Sequence, residues 1–130
     1  EMKDPPLANA ELAVMELLWD ETRMSARQIR ERLYPNATKA QHGTVQRLLQ
    51  RLEDKGYVAR DATLPVLFFS AAISRREYAG SQLESLAAKL TGGSLAPLIT
   101  HFIEQKKISR EDIEQIRAIL DEQHEEGEQS

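Results

Sequence analysis

The chain of 130 residues contains no cysteine. That removes disulfides, zinc–thiolate sites and thiol catalysis together. No run approaches the roughly 18 apolar residues needed to cross a bilayer. No signal-peptide pattern opens the chain either, so a cytoplasmic location is expected. The glycine motifs that cradle phosphates or build a nucleophile elbow, a P-loop, GxGxxG or GxSxG, are missing as well. Histidine is scarce. His42, His101 and His124 fall in three separate stretches without metal-ligand spacing. Acidic pairs such as Glu111-Asp112 sit where a helix's first turn favours negative charge without catalysis. No catalytic residue, metal site or cofactor is expected, and an enzyme is not the expected class.

What is present suits a folded chain. Hydrophobic residues make up 41% and charged residues 29%, enough apolar content for a packed core and too much for wholesale disorder. The net charge of −4 hides a division. Residues 23–60 hold nine Lys/Arg against three acids, a net of +6, whereas residues 76–130 hold six against eleven, a net of −5. A basic contact surface with an acidic remainder gives this asymmetry, and so do solvated helix faces that happen to be basic.

Periodicity places the elements. Asn9 is the expected N-cap of a first helix with Ala10, Ala13, Val14, Leu17 and Leu18 inward and Trp19 at its end. Ser25 with Gln28 forms a capping box for a short helix carrying Ala26, Ile29 and Leu33, which Pro35-Asn36 breaks. A third helix starts between 38 and 43, where Thr38 and Gln41 suit another capping box. It buries Val45, Leu48, Leu49 and Leu52, and ends at Lys55 with Gly56 as a left-handed cap. The period then changes. "YVARD" and "VLFFSAA", separated by residues 62–65, read as a two-stranded hairpin.

Helical patterns return at Ser74-x-x-Glu77, with Leu83, Leu86, Ala87 and Leu90 on one face. Beyond Gly92-Gly93, Leu95, Leu98, Ile99, Phe102 and Ile103 form the fullest stripe. Ser109 and Asp112 open a last helix with Ile113, Ile116, Ile119 and Leu120 inward, and the tail "EEGEQS" is expected to fray. The expected division is 1–75 and 76–130. The second part is marginal for an independent core. Its stripes either meet a second copy of the chain, the favoured reading, or fold back on the first part.

Two helices, a turn between them and a following hairpin are the order of a winged helix-turn-helix. The outward face of the third helix would then enter the major groove of DNA. Gln46 suits adenine and Arg47 guanine. Gly43 permits close approach, His42 lies on the same face, and Thr44 can meet a phosphate or a thymine methyl. Lys39, Arg51 and Arg60 suit phosphates, which position without specifying sequence. An interaction module that binds protein instead of DNA is the alternative.

The segments "LANAELAVMELLWDE" (7–21), "SARQIRERL" (25–33), "TVQRLLQRLEDKGYVAR" (44–60) and "TGGSLAPLITHFIEQKKISREDIEQIRAILDE" (91–122) together resemble the penicillinase-repressor family, the BlaI/MecI/CopY type. The resemblance implies a mainly α homodimer: an N-terminal winged helix of three helices and a β-hairpin wing, then a three-helix dimerisation region. It implies a palindromic operator in double-stranded DNA, often built on TACA/TGTA half-sites. It places Leu95, Leu98, Ile99, Phe102, Ile103, Ile113, Ile116 and Leu120 in the dimerising part. β-Lactam-responsive members lose repression when a membrane sensor metalloprotease triggers cleavage of an Asn–Phe bond in this part. The matching pair here is His101-Phe102, so the residue before the phenylalanine differs. Copper-responsive members use C-terminal cysteines, which this chain lacks. Its wing also departs from the basic wings of the family, with no Lys or Arg between Arg60 and Arg75.

Overall fold

The computed structural model describes residues 4–36 and 38–129, with side chains to residue 127. Among these residues the order is α1 (Asn9–Asp20), β1 (Met24–Ser25), α2 (Ala26–Leu33), α3 (Lys39–Asp54), β2 (Val58–Asp61), β3 (Phe68–Ala71), α4 (Arg75–Leu90), α5 (Ala96–Glu104) and α6 (Arg110–Gln129). The protein is mainly helical with one small sheet, as the periodicity predicts. The chain forms two compact units, Glu1–Ser85 and Leu86–Ser130.

The first unit closes a core. Val14 and Met15 of α1, Ile29 of α2, and Val45, Leu48, Leu49 and Leu52 of α3 are buried together with Tyr57, Val58 and Phe69. The stripe of α3 is therefore the expected one. That of α1 is rotated. Ala10 faces solvent, while Glu11 is buried beside Val14, Met15 and Leu18. Asn9 is the first helical residue rather than the cap. Ala8 takes the cap position, and its N–H donates to the Glu11 carboxylate at 2.8 Å. Glu11 also receives Lys55 Nζ at 2.9 Å, so a buried carboxylate ties the start of α1 to the end of α3. A charge in that setting stays only because it is paired and hydrogen-bonded.

The wing is a three-stranded antiparallel sheet in the order β1-β3-β2, not a two-stranded hairpin. Met24 pairs with Phe69 and Ser25 with Phe68, while Arg60 pairs with Phe69 and Asp61 with Phe68. Two residues are too short a run for the sequence to announce a strand. Gly56, at φ +81°, turns the chain from α3 into β2, the left-handed cap the sequence implies. Trp19 lies at the edge of the core, half-buried, and donates from Nε1 to the Ile73 carbonyl at 2.9 Å.

The division between units falls inside α4 because the first turns of that helix are tied to the first unit. The Tyr78 hydroxyl accepts from Leu7 N–H at 2.8 Å, and the Gln82 amide donates to the Asp4 carbonyl at 2.8 Å. The Tyr78 ring stands 5.7 Å from Tyr57 and 6.2 Å from Trp19. Ser74 and Glu77 close the expected capping box at 3.0 and 3.2 Å.

In the second unit Gly92 and Gly93, at φ +66° and +99°, end α4, and the Thr91 hydroxyl donates to the carbonyls of Ala87 and Ser94. At the end of α5, Lys106 adopts φ +56° while Lys107 N–H donates back to the Phe102 carbonyl at 2.9 Å. The Asp112 N–H donates to Ser109 Oγ at 3.0 Å, as the last capping signal implies. α6 extends through Gln129, taking in most of the polar tail, and Ser130 lies outside the described residues. No helix among the described residues is long and apolar enough to cross a membrane.

Candidate nucleic-acid interface

The core stripe of α3 fixes which residues it turns outward. With Val45, Leu48, Leu49 and Leu52 buried, Lys39, Gln46, Arg47, Gln50 and Arg51 stand exposed on the other side. From Lys39 through Leu52 this helix contains no acidic residue. Thr38 caps it, its N–H donating to the Gln41 side chain at 2.6 Å.

The outward residues are linked in pairs at helical spacing. The Gln46 amide nitrogen lies 3.4 Å from His42 Nε2. Arg47 Nη2 donates to Thr44 Oγ1 at 3.3 Å, and that hydroxyl donates to the Ala40 carbonyl at 3.1 Å. Thr44 is thereby committed inside the helix, whereas Arg47 keeps most of its five donors for another partner. At Gly43 an added Cβ would meet Arg47 Nη1 at 3.4 Å, the movable end of a side chain. Within the protein itself, alanine would fit there.

Two expected phosphate ligands differ in their availability. Arg51 is exposed, and its charge helps hold the Glu11 carboxyl below its ordinary range. Burial pushes that carboxyl upward most strongly, but the Ala8 N–H, the Lys55 ammonium and Arg51 together outweigh it. Arg60 is engaged. Its Nε donates to both carboxylate oxygens of Glu53 at 3.0 and 2.9 Å, and its guanidinium lies 5.7 Å from the Phe69 ring centroid.

The sheet adds a cation that the wing's own sequence lacks. Arg23, just before β1, lies over the Phe68 ring at 4.6 Å and approaches Asp61 at 4.0 Å. Between α2, α3 and this wing runs a hollow of about 620 Å³ whose walls include Ser25, Gln28, Gln46, Val66 and Leu67. Residues Arg23, Arg27 and Arg30 were not singled out by periodicity. They were visible only as part of the +6 excess of residues 23–60.

The family model of the penicillinase repressor matches residues 7–122. The chain belongs to the penicillinase repressor family. Among similar members, the penicillinase repressor of Bacillus licheniformis is 26% identical over 120 residues, covering 92% of this chain and 93% of that protein. The methicillin resistance regulatory proteins MecI of Mammaliicoccus sciuri and of Staphylococcus aureus (strain N315) are each 24% identical over 114 residues, covering 88% of this chain and 92% of theirs. Family members and this chain thus align over both compact units, not over the winged helix alone.

In the second unit the residues assigned to dimerisation divide by exposure. Ile99, Phe102 and Ile103 of α5, and Ile116 and Leu120 of α6, are 40 to 61% exposed. Leu95, Leu98 and Ile113 are half-buried. His101 and Phe102 lie mid-α5 with their rings edge-on, 5.8 Å apart.

Proposed function

We propose that the protein is a homodimeric transcriptional repressor that occludes a promoter by binding a palindromic operator. Residues 1–75 form the reading part and 76–130 the dimerising part. Each α3 reads one half-site, with Gln46 and Arg47 toward base edges, and His42, Gly43 and Thr44 close to the groove. Lys39, Arg51 and Arg60 serve phosphates. Membership of a repressor family supports the reading. The single observation that carries it is the outward face of α3 from Lys39 to Arg51, which has no acid before Glu53 and where Lys39, Gln46 and Arg47 stand exposed opposite a buried stripe.

The exposed apolar residues of α5 and α6 support pairing with a second copy. Joining two weak half-sites through that pairing raises affinity by an effective-concentration factor on the order of 10²–10⁴. Any signal that separates the subunits then frees the DNA without touching α3. Cleavage between His101 and Phe102 by a membrane sensor metalloprotease in the cytoplasm is one such signal. That bond lies within a helical segment, so α5 must unwind before a protease can reach it.

Arg47→Ala tests the assignment. It should weaken specific binding by about 1–3 kcal/mol and relax preference at one base pair. An unchanged profile of selected operator sequences would sink the role given to α3. The second reading, a winged helix that binds protein, draws on the apolar wing, where Leu64 is 41% and Val66 53% exposed. A salt titration against random duplex DNA separates the two, since phosphate contact makes affinity fall steeply with salt.

A further inference from the structure

Residues 4–7, Asp-Pro-Pro-Leu, have no part in the reading given to α3. They form an arm that runs antiparallel to the start of α4, Asp4 meeting Gln82 and Leu7 meeting Tyr78. Three side chains hold its backbone. Gln82 Nε2 donates to the Asp4 carbonyl at 2.8 Å, the Tyr57 hydroxyl donates to the Pro5 carbonyl, and the Leu7 N–H donates to the Tyr78 hydroxyl at 2.8 Å. Pro5 and Pro6 fix φ and carry no N–H, so the arm is stiff and loses little entropy when held. Its far end is fixed as well, because Ala8 caps α1 against Glu11. Burial above all, and then the neighbouring Asp4, Tyr78 and Glu11, pushes the Tyr57 hydroxyl up to about 12, so it stays a donor across the ordinary pH range.

The helix beside this arm has a weak point. Gly80 lies inside α4, between the two tethered residues. Glycine is the poorest helix former after proline. A Cβ at Gly80 would meet nothing within 4 Å, so no packing contact calls for glycine there. The arm bonds to α4 on both sides of it, at Tyr78 before and at Gln82 after. The end of α1 fastens the same helix start, since Arg75 Nη2 reaches Glu16 at 2.6 Å and Asp20 at 3.6 Å. Arg75, Tyr78 and Gln82 recur at i, i+3 and i+7, which puts all three fastenings on one face. Beyond Gln82, α4 continues without a break past Ser85, where the first unit ends. The direction of α4 at Gln82 is thus the heading with which the chain leaves that unit.

We infer that the arm is a splint across Gly80 that sets the half-site spacing the dimer accepts, with Tyr78 and Gln82 as its positioning residues. The inference rests on the proposed function, in which each reading part joins the pairing part through α4. Moving one half-site by a base pair also turns it by about 35° around the DNA axis. A bend at Gly80 would let α3 follow that displacement. A splinted α4 does not bend there, so both half-sites are reached together at one spacing only.

The test measures the affinity of the full-length chain for the palindromic duplex it selects from a random pool, and for the same half-sites one base pair closer or further apart. A duplex with a single half-site reports on the reading part alone. Wild type should lose about tenfold or more on either change, since two half-sites help only when both are reached. The double variant Tyr78→Phe/Gln82→Leu should lose less than about threefold, with its single-half-site affinity unchanged. Its amide hydrogen exchange in α4 around Gly80 should be faster. Gly80→Ala added to that variant should restore both the discrimination and the slow exchange. Tyr78→Phe alone keeps the ring beside Tyr57 and Trp19 and should move both readouts in the same direction, so it decides the matter if the double variant does not fold. Wild-type discrimination retained in the folded variant, or a loss that Gly80→Ala leaves uncorrected, overturns the splint. A wild-type chain that binds all three spacings alike removes the spacing role and leaves the repressor reading. A chain that selects no duplex removes that reading, and amide exchange then decides by itself whether the arm splints α4.

Discussion

The two compact units are both helical, yet they handle their apolar side chains in opposite ways. In the first, Val14, Met15, Ile29, Val45 and Leu52 are fully shielded from solvent. In the second, Ala87 is the only apolar residue in the buried class among the described residues, and Phe102, Ile103 and Leu120 are 44, 47 and 61% exposed. Both have amphipathic stripes at helical spacing. The difference is the number of surfaces available. Three helices, the start of α4 and a sheet close around the first unit's stripes; α5, α6 and the end of α4 leave theirs exposed. Exposed apolar area of this kind is what the proposed pairing with a second copy would cover.

The comparison can be broken at several points. Phe102→Ala should have the largest effect, because a two-fold interface loses the ring twice. A loss of about 1–2 kcal/mol per copy raises the dimer dissociation constant by at least roughly 30-fold. An unchanged dimer in sedimentation equilibrium would remove Phe102 from the interface.

Lys55→Met acts in the other unit and should cost about 2–3 kcal/mol, since it strands the buried Glu11 carboxylate. Denaturation should show that loss at every protein concentration, and Glu11→Leu in the same chain should recover much of it. The pair also sets an acid limit. The folded-state pKa of Glu11 lies below its ordinary value of 4.5, so its stabilisation is present above that pH and disappears as pH falls through the depressed value. A midpoint insensitive to pH across that window would contradict the pairing.

Lys106→Gly should have the smallest effect. Lysine there holds φ +56°, and glycine adopts that backbone without strain, so the second unit should gain about 1 kcal/mol. Thermal unfolding of the dimer would register the gain.

Legibility in the sequence followed the same contrast. The α3 stripe, the Gly56 cap and the capping boxes at Ser25, Ser74 and Ser109 were readable because each depends on residues within one or two turns. Features set by distant partners were not. Glu11 is absent from the inward stripe that periodicity predicts for α1, and Lys55, 44 positions later, makes its burial tolerable. Arg23 had no reason to belong to the wing until β1 joined β3. The candidate interface was legible as an exposed face of α3, from Lys39 to Arg51, but not as a set of commitments. Only coordinates show that Thr44 is spent on Ala40 and Arg47, and that Arg60 is held by Glu53.

The central claim is that the second unit is completed by another copy of itself, and that operator affinity depends on it. Sedimentation equilibrium of the full chain, run with and without a palindromic operator over a wide concentration range, tests it most directly. The account predicts a species of twice the 14.7 kDa chain mass that binds one operator and dissociates on dilution together with the loss of tight binding. A 14.7 kDa monomer that binds the operator equally well at all concentrations would contradict it.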